Sequence, residues 1–184
     1  MPDFSRLPDF VLVTGNDNKR RETERILGRS VAIEPLDLPE IQSGEVEEVL
    51  REKGREAYRR LQRPVVVEET ALALSSMNGF PGPLVKWMLD AIQAEGIARA
   101  AIALGDPRAT ALCALLYVDG ETSVMAVGET RGDLTLPPRG DHGFGWDPVF
   151  QPEGSELSYA QLGLAVKDEI GHRGRAWAAF AERF

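Results

Sequence analysis

The first half of the chain alternates short apolar runs with longer stretches of helical periodicity. The apolar runs at 10–13 and 64–67, together with the stretch 31–38, are typical of strands buried in a parallel sheet. The polar stretch that ends at Gly28 and the segment 44–62, whose apolar residues recur at helical spacing, predict helices between these strands. This half therefore predicts strand–helix units.

The second half predicts a hairpin that follows a long helix. The helix is expected over 84–104 and the hairpin over 110–118 and 123–130, with Asp119-Gly120 as its turn. We also expect an extension of the sheet at 134–136, a Pro/Gly-rich loop over 137–146 and two short helices that begin at Ser158 and near Gly171. Helices that alternate with strands and are followed by a hairpin indicate an α/β fold with a mixed sheet.

Length and composition are typical of a globular domain. The 184 residues, 43% of them apolar, are expected to form a single domain spanning 1–184, with one core or two small lobes around a cleft. No apolar run is long enough for a membrane span, and the first ten residues lack the layout of a signal peptide. We therefore expect a cytoplasmic protein with no membrane partner. The single cysteine, Cys113, lies in an apolar run and is interpreted as a core residue.

The charged residues indicate which kinds of ligand the protein can bind. A formal net charge of −8 argues against non-specific nucleic-acid binding, which needs a broad basic surface. Only four of the 21 basic residues are lysines, at positions 19, 53, 86 and 167. Lysine presents a compact point charge that suits phosphate, although codon bias and chance would also produce few lysines.

A glycine turn joins the first predicted strand to the first predicted helix. Thr14-Gly15-Asn16 leaves the strand, and Lys19 falls on the first turn of the helix. In open α/β sheets such a turn presents backbone N–H groups and the positive end of the helix dipole to an anion. The motif is neither a Walker loop nor the glycine fingerprint of dinucleotide folds, and a plain capped turn remains the alternative.

Carboxylates follow two of the predicted strands. Glu40 comes after the second strand, and Glu68 and Glu69 follow the third with no intervening loop. Carboxylates from different strand ends can converge on magnesium, whereas solvated charge is the alternative and the better interpretation for Glu40 alone. Because neighbouring strand residues point to opposite sides, we expect only one of Glu68 and Glu69 to face a cleft.

Three further segments suit a nucleotide. The run Phe144-Gly145-Trp146-Asp147 offers aromatic faces that stack on a base and a carboxylate that accepts ring N–H groups. Lys86 follows a rigid turn at 79–83, and Lys167 precedes His172-Arg173, whose side chains can donate to a phosphate or a carbonyl. Each segment also has a purely structural interpretation, as a loop or as core packing.

With these segments assembled, the chain resembles the inosine triphosphate pyrophosphatase family, the non-standard purine nucleoside triphosphate pyrophosphatases. The resemblance covers about residues 10 to 180. It is carried, in order, by TGNDNK at 14–19, DLPEIQ at 37–42, VVVEETALAL at 65–74, GFPGPLVKWML at 79–89, FGWDPVFQPEG at 144–154, SYAQL at 158–162 and HRGRA at 172–176. FGWDP and GFPGPLVKW are highly specific, whereas TGN is not.

The resemblance implies an elongated mixed sheet flanked by helices, with two lobes around a central cleft, and a homodimer. It implies magnesium-dependent hydrolysis of ITP, dITP and XTP to the monophosphate and pyrophosphate. The implied substrate-binding residues are Thr14, Gly15, Asn16, Lys19, Lys53, Thr70, Lys86, Phe144, Gly145, Trp146, Asp147, Lys167, His172 and Arg173. The implied magnesium carboxylates are Glu40 and Glu69, and Glu69 is also the expected catalytic residue.

Two positions depart from the family pattern. Glu69 stands where the family usually has Asp, and Gly171 stands where it usually has Ser before His-Arg. The longer Glu69 affects the position of the metal or of the attacking water, and Gly171 removes a hydroxyl near the base pocket. The sequence therefore keeps two alternatives open: a nucleotide-binding protein with weak or lost turnover, and the same chemistry on another modified nucleotide.

Overall fold

The computed structural model describes residues 2–184, so that the expected domain is described apart from its first residue. Five helices flank one seven-stranded sheet, which confirms the α/β class with a mixed sheet. The strands are β1 (Val11–Val13), β2 (Ala32–Glu34), β3 (Val65–Leu74), β4 (Pro81–Gly82), β5 (Arg108–Val118), β6 (Ser123–Leu134) and β7 (Phe150–Pro152). The helices are α1 (Asp17–Leu27), α2 (Val46–Leu61), α3 (Val85–Ala103), α4 (Leu164–Ile170) and α5 (His172–Ala181).

The sheet joins a short parallel part to a long antiparallel part. Its order is β2-β1-β3-β5-β6-β7; β1 is parallel to β2 and β3, and the other pairs are antiparallel. β1 pairs with β3 only at 65–67, whereas β4 pairs with it only at 72 and 73. Within the described chain, the β3 edge between these partners, residues 68–71, faces no strand. This gap in the sheet positions the cleft.

Two lobes lie on either side of the gap, as the resemblance implied. One lobe is built on β1, β2 and the first part of β3, with α1 and α5 on one face of the sheet and α2 on the other. The other lobe packs α3 against the far ends of β3 and β5 and against the segment around β7. Each lobe has its own apolar core, and β3 and β5 run through both.

Local sequence explains how the helices that carry the cleft residues begin and approach the sheet. Asn16 accepts from the backbone N–H groups of Asn18 and Lys19 and so starts α1, and Gly28 ends this helix in the left-handed conformation, with φ 64°. Gly54 lets α2 approach β5, since a Cβ there would lie 2.7 Å from the Leu116 side chain. α3 is interrupted at Gln93, which has φ 59° and ψ 173°.

Several predicted boundaries were wrong. The second strand covers only Ala32–Glu34 instead of 31–38, because Pro35 ends the extended run. The third strand does not end before Glu68 but continues to Leu74, since β5 pairs with it along its whole length. The sheet extension stops at Leu134, and the fourth helix begins at Leu164 rather than Ser158. None of the helices in the described part of the chain is both long enough and apolar enough to cross a membrane.

Candidate active site

A cleft of about 930 Å³ lies between the lobes, at the gap beside β3. This volume is at the upper end of the range usual for small-molecule sites. Every site residue implied by the resemblance lines it: Thr14, Gly15, Asn16, Lys19, Glu40, Lys53, Glu69, Thr70, Lys86, Phe144, Gly145, Trp146, Asp147, Lys167, His172 and Arg173. The structure thus brings together segments that are up to 159 residues apart in the chain.

The loop between β1 and α1 forms one end of the cleft. The Thr14 hydroxyl accepts from the Asn16 N–H, and the Asn16 side chain caps the helix. These local hydrogen bonds hold the loop in one conformation. Gly15 does not have the left-handed φ that would require glycine, and a Cβ there would meet nothing within 4 Å. Its lack of a side chain leaves the backbone open to close approach from the cleft, which suits a phosphate.

Lys53 lies between the two carboxylates expected to bind magnesium. Its Nζ is 2.7 Å from Glu40 Oε1 and 2.5 Å from Glu69 Oε2. Burial opposes the charge of Lys53, but the neighbouring Glu69 and Glu40 outweigh this effect and raise its pKa. Burial similarly works against the charge of Glu40, yet Lys53, with Lys86 and Lys19, lowers the pKa of that carboxyl.

Glu68 lines the same cleft, which corrects the expectation that only one of the paired carboxylates faces it. The side chains of Glu68 and Glu69 do alternate, but β3 lacks a neighbour over 68–71, so both faces of the strand are open to the cleft. Glu68 is 6% exposed; it lies 3.3 Å from Lys19 Nζ and accepts two hydrogen bonds from Arg173. Burial alone would raise the pKa of Glu68, but Arg173 and Lys19 lower it to about 2.

Glu22 lies behind the residues that line the cleft, and the sequence did not single it out. It is 2% exposed on α1, and its Oε2 lies 2.9 Å from Arg173 Nη1 and 3.3 Å from Lys167 Nζ. Lys167 Nζ in turn donates to Asp147 Oδ2 at 2.7 Å. Glu22 lies three residues after Lys19, and this i,i+3 spacing was the one available signal that it shares the helix face of Lys19.

These contacts form one buried network of alternating charge. In order, it runs through Lys19, Glu68, Arg173, Glu22, Lys167 and Asp147. It joins the first turn of α1 to the aromatic loop at 144–147. Since a buried charge needs a partner, each member fixes the position of the next.

Arg173, whose side chain the sequence predicts to donate to a ligand, is largely engaged within the protein. Its Nε and Nη2 donate to Glu68 at 3.0 and 2.7 Å, so most of its donors have partners inside the protein. Nη1 is close to Glu22 but lacks hydrogen-bond geometry to any described residue. Nη1 is thus the one guanidinium nitrogen of Arg173 that makes no hydrogen bond within the described residues.

Asp147 is likewise already engaged. Its Oδ2 accepts from Lys167 and, at 2.7 Å, from the Phe144 backbone N–H, which holds the aromatic loop in place. Burial raises the pKa of Asp147 despite the lysine. The expected contact with ring N–H groups would therefore be made by Asp147 Oδ1, which accepts from neither of these two donors.

The far end of the cleft holds buried polar atoms that make no hydrogen bond within residues 2–184. They include Trp146 Nε1, His172 Nδ1 and Arg173 Nη1. The rings of Trp146 and His172 lie 6.1 Å apart, and Lys167 Nζ is 5.0 Å from the Phe144 ring centre. Burial, with Arg173 and Lys167 nearby, holds the pKa of His172 well below its usual range, so the imidazole is neutral. Unpaired buried groups are costly, and a ligand with acceptor atoms would satisfy them.

Gly171 sits at the corner between α4 and α5. A Cβ there would lie 2.5 Å from the Lys167 carbonyl oxygen, a backbone atom that cannot move alone. Glycine at this position therefore permits the tight corner that places Lys167 and His172 side by side. A serine at this position, which is usual in the family, would require this backbone to shift.

The donor set fits a magnesium ion that shares its ligands with a substrate. Within the described chain, no cluster of three or more His, Cys, Asp or Glu side chains is arranged to hold a metal alone. Glu40 and Glu69 nevertheless converge on one point, at Lys53 Nζ. Magnesium is commonly held by one or two carboxylates together with substrate phosphates and water, and the two carboxylates meet that requirement.

Comparison with known proteins places the chain in a family. The model of the Ham1 family matches residues 10–183. The Ham1 protein of Staphylococcus aureus is 23% identical with a TM-score of 0.79, over 95% of this chain and 99% of that one. A HAM1 protein from Coxiella burnetii is 22% identical with a TM-score of 0.78, over 96% and 98%.

A third solved structure is described by its activity. It is a nucleoside-triphosphatase / dITP/XTP pyrophosphatase from Mycobacterium abscessus, 28% identical with a TM-score of 0.65, and the match covers 92% of this chain and 97% of that one. The family match spans nearly the whole chain and confirms the resemblance carried by the sequence motifs. This chain belongs to the Ham1 family.

Proposed function

We propose that this protein is a nucleoside triphosphate pyrophosphatase that hydrolyses non-standard purine nucleotides, ITP, dITP and XTP, to the monophosphate and pyrophosphate. Family membership supports the hydrolase class. One observation carries the substrate class: a phosphate-type loop with Lys19 and a buried aromatic pocket with unpaired donors line the same cleft. Such a cleft accommodates a triphosphate at one end and a base at the other.

The unpaired donors favour a keto purine over adenine. Trp146 Nε1 and Arg173 Nη1 can only donate, and neither makes a hydrogen bond within the described residues, although Arg173 Nη1 lies 2.9 Å from the Glu22 carboxylate. A 6-keto oxygen and a ring nitrogen of hypoxanthine or xanthine would accept from them. The 6-amino group of ATP would leave the donor that faces it without an acceptor, and a site with buried unpaired groups rejects such a ligand strongly.

Hydrolysis between the α and β phosphates requires an oriented water and neutralised charge. In this proposal, Glu69 accepts the proton of the water that attacks the α phosphorus, while Lys19 and Lys86 bind phosphate oxygens. Glu40 and Glu69 would hold a magnesium ion, which when bound supplies positive charge to the phosphate oxygens. Pyrophosphate leaves directly, and no covalent intermediate is needed.

The test is release of pyrophosphate from a panel of nucleotides, with magnesium and with EDTA. We expect turnover of ITP, dITP and XTP in magnesium, with kcat/KM for ATP lower by about a hundredfold or more. Tight binding of ITP without pyrophosphate release would identify the alternative, a binding protein that lost turnover. A panel in which another modified nucleotide exceeds ITP would replace the proposed substrate and keep the chemistry.

We also propose that the protein acts as a homodimer in the cytoplasm, as the family resemblance implies. Light scattering on the purified chain tests the dimer, and a monomer at micromolar concentration would contradict it. Cell fractionation tests the location. The hydrolase proposal depends on neither result.

A further inference from the structure

Lys53 occupies the point at which the two proposed magnesium carboxylates converge. Its Nζ lies within 2.7 Å of both Glu40 Oε1 and Glu69 Oε2, and the side chain is 11% exposed. The backbone beneath it is fixed, because Leu50 and Ala57 on α2 are fully buried and Gly54 packs against β5. Only the flexible stem of the lysine can carry its charge away from the carboxylates.

An ammonium group at this point competes with a divalent cation. Both bind the same carboxylate oxygens, and two positive charges at that distance repel each other strongly in a partly buried site. For a metal to bind, Lys53 must either leave or lose its partners. Leaving is favourable only if another anion accepts its hydrogen bonds, since a buried charge without a partner is costly.

We propose that Lys53 blocks the magnesium site of the free protein and that the phosphates of the substrate release the block. In the free protein, the ammonium neutralises Glu40 and Glu69 and weakens metal binding. A bound triphosphate offers Lys53 new acceptors, so the lysine turns to the phosphate and the carboxylates become available. Metal and nucleotide then bind with positive coupling, and each raises the affinity of the other by the same factor. This inference rests on the proposed function, which supplies the triphosphate and the metal.

The first measurement is the affinity of the nucleotide-free protein for Mn²⁺. The electron paramagnetic resonance signal of the free ion reports how much Mn²⁺ remains unbound. We expect weak binding to the parent protein and binding about tenfold tighter or more to Lys53→Met, because the variant frees both carboxylates of one charge-assisted contact. Lys53→Gln, which keeps a polar head without charge, should bind Mn²⁺ more tightly in the same way.

Lys86→Met is the matched control. Lys86 lines the same cleft and its charge also acts on Glu40, but it has no ion pair with either carboxylate among residues 2–184. If Lys53 acts by contact, Lys86→Met should change Mn²⁺ affinity by less than about threefold, because a screened charge contributes little at that range. An equal gain in both variants would overturn the proposal, since a general charge effect would then explain the result.

The second measurement repeats the titration with the α,β-imido analogue of ITP bound. The analogue should raise Mn²⁺ affinity in the parent protein by about tenfold or more, and by distinctly less in Lys53→Met, where no block remains to be released. Circular dichroism melting of each variant identifies the folded samples on which the comparison is made. Unchanged Mn²⁺ affinity in folded Lys53→Met and Lys53→Gln would overturn the proposal.

The pyrophosphate assay separates this inference from the proposed function. If the parent protein hydrolyses ITP in magnesium but the lysine variants bind Mn²⁺ as weakly as the parent, only the block fails. If the parent protein releases no pyrophosphate from any nucleotide of the panel, the proposed function fails, whereas tighter Mn²⁺ binding in Lys53→Met would still support the block in the free protein.

Discussion

Arg173 and Glu68 form a two-hydrogen-bond ion pair in the wall of the cleft, and the two residues are 105 positions apart in the chain. Both side chains are almost completely buried. The pair connects the end of the cleft where Arg173 and His172 lie to the first turn of α1 through Lys19. A substitution at either residue therefore acts on the fold and on the site together.

Arg173→Ala should lower both stability and base discrimination. Removal of one partner leaves Glu68 with Lys19 alone, and breaking a buried pair typically costs about 3–5 kcal/mol of unfolding free energy. Loss of the Nη1 donor should also narrow the ratio of kcat/KM between ITP and ATP. Denaturant titration and the two-substrate assay measure these effects, with the exposed neighbour Arg175→Ala as control. An unchanged substrate ratio in folded Arg173→Ala would remove Arg173 from base recognition.

Substitutions of Glu69 and of Glu68 should affect different kinetic parameters. Glu69→Gln removes the basic oxygen and should lower kcat about a hundredfold, as is typical for loss of a general base. Glu68→Gln instead weakens the positioning of Lys19 and Arg173, so it should lower stability and raise KM. Near-parental kcat in Glu69→Gln at saturating magnesium and ITP would exclude Glu69 as the base.

Glu69→Asp tests whether the longer side chain is an adaptation. The Glu69 carboxylate reaches Lys53 at 2.5 Å, and a side chain shorter by one bond of about 1.5 Å would retreat from that contact. We expect the activity to fall, since misplacing a reacting group by about 1 Å can cost a hundredfold. Activity equal to the parent would mean that Glu69 is only a tolerated replacement of the family's usual Asp.

Two adjacent basic residues on α1 should differ in substrate binding. Lys19 lines the cleft, whereas Arg20 pairs with Asp17 and Glu24 on the helix surface. Lys19→Ala should raise KM for ITP by about tenfold or more, the effect of one charged hydrogen bond, and Arg20→Ala should change it little. Steady-state kinetics measure KM for ITP in both variants. Similar small changes in the two would mean that Lys19 does not bind the substrate.

Burial of His172 should make the stability of the fold depend on pH. The pKa of His172 is held well below 6.5 in the fold, so below pH 6.5 the unfolded chain takes up a proton that the native protein does not. Stability should therefore fall as the pH drops below 6.5, by up to about 1.4 kcal/mol per pH unit. His172→Gln should remove this slope, whereas exposed His142→Gln should keep it. Denaturant titrations between about pH 5 and 7.5 avoid most carboxyl titration, and an unchanged slope in His172→Gln would contradict the assignment.

Periodicity predicted the order of the main elements, and the motifs predicted which segments meet at the cleft. α1 and the hairpin were recognisable because their signals are local: a polar run closed by Gly28, and Asp119-Gly120 between two apolar stretches. The full length of β3 was not recognisable from the sequence, because its continuation beyond residue 67 depends on pairing with β5. The pairing of Glu68 with Arg173 and of Glu22 with Lys167 could not be predicted either, since these ion pairs join residues more than 100 positions apart.

The gap beside β3 also bears on how the protein avoids aggregation. An unpaired strand edge is a template on which another chain can add a strand. Here the open edge is confined to residues 68–71, flanked by β1 and β4, and lies between the lobes, where an extended segment of a second molecule has little access. It also carries Glu68 and Glu69, whose charges are engaged with buried cations. The residues that make the cleft suitable for a nucleotide thus also make this unpaired strand edge a poor starting point for an intermolecular β-sheet.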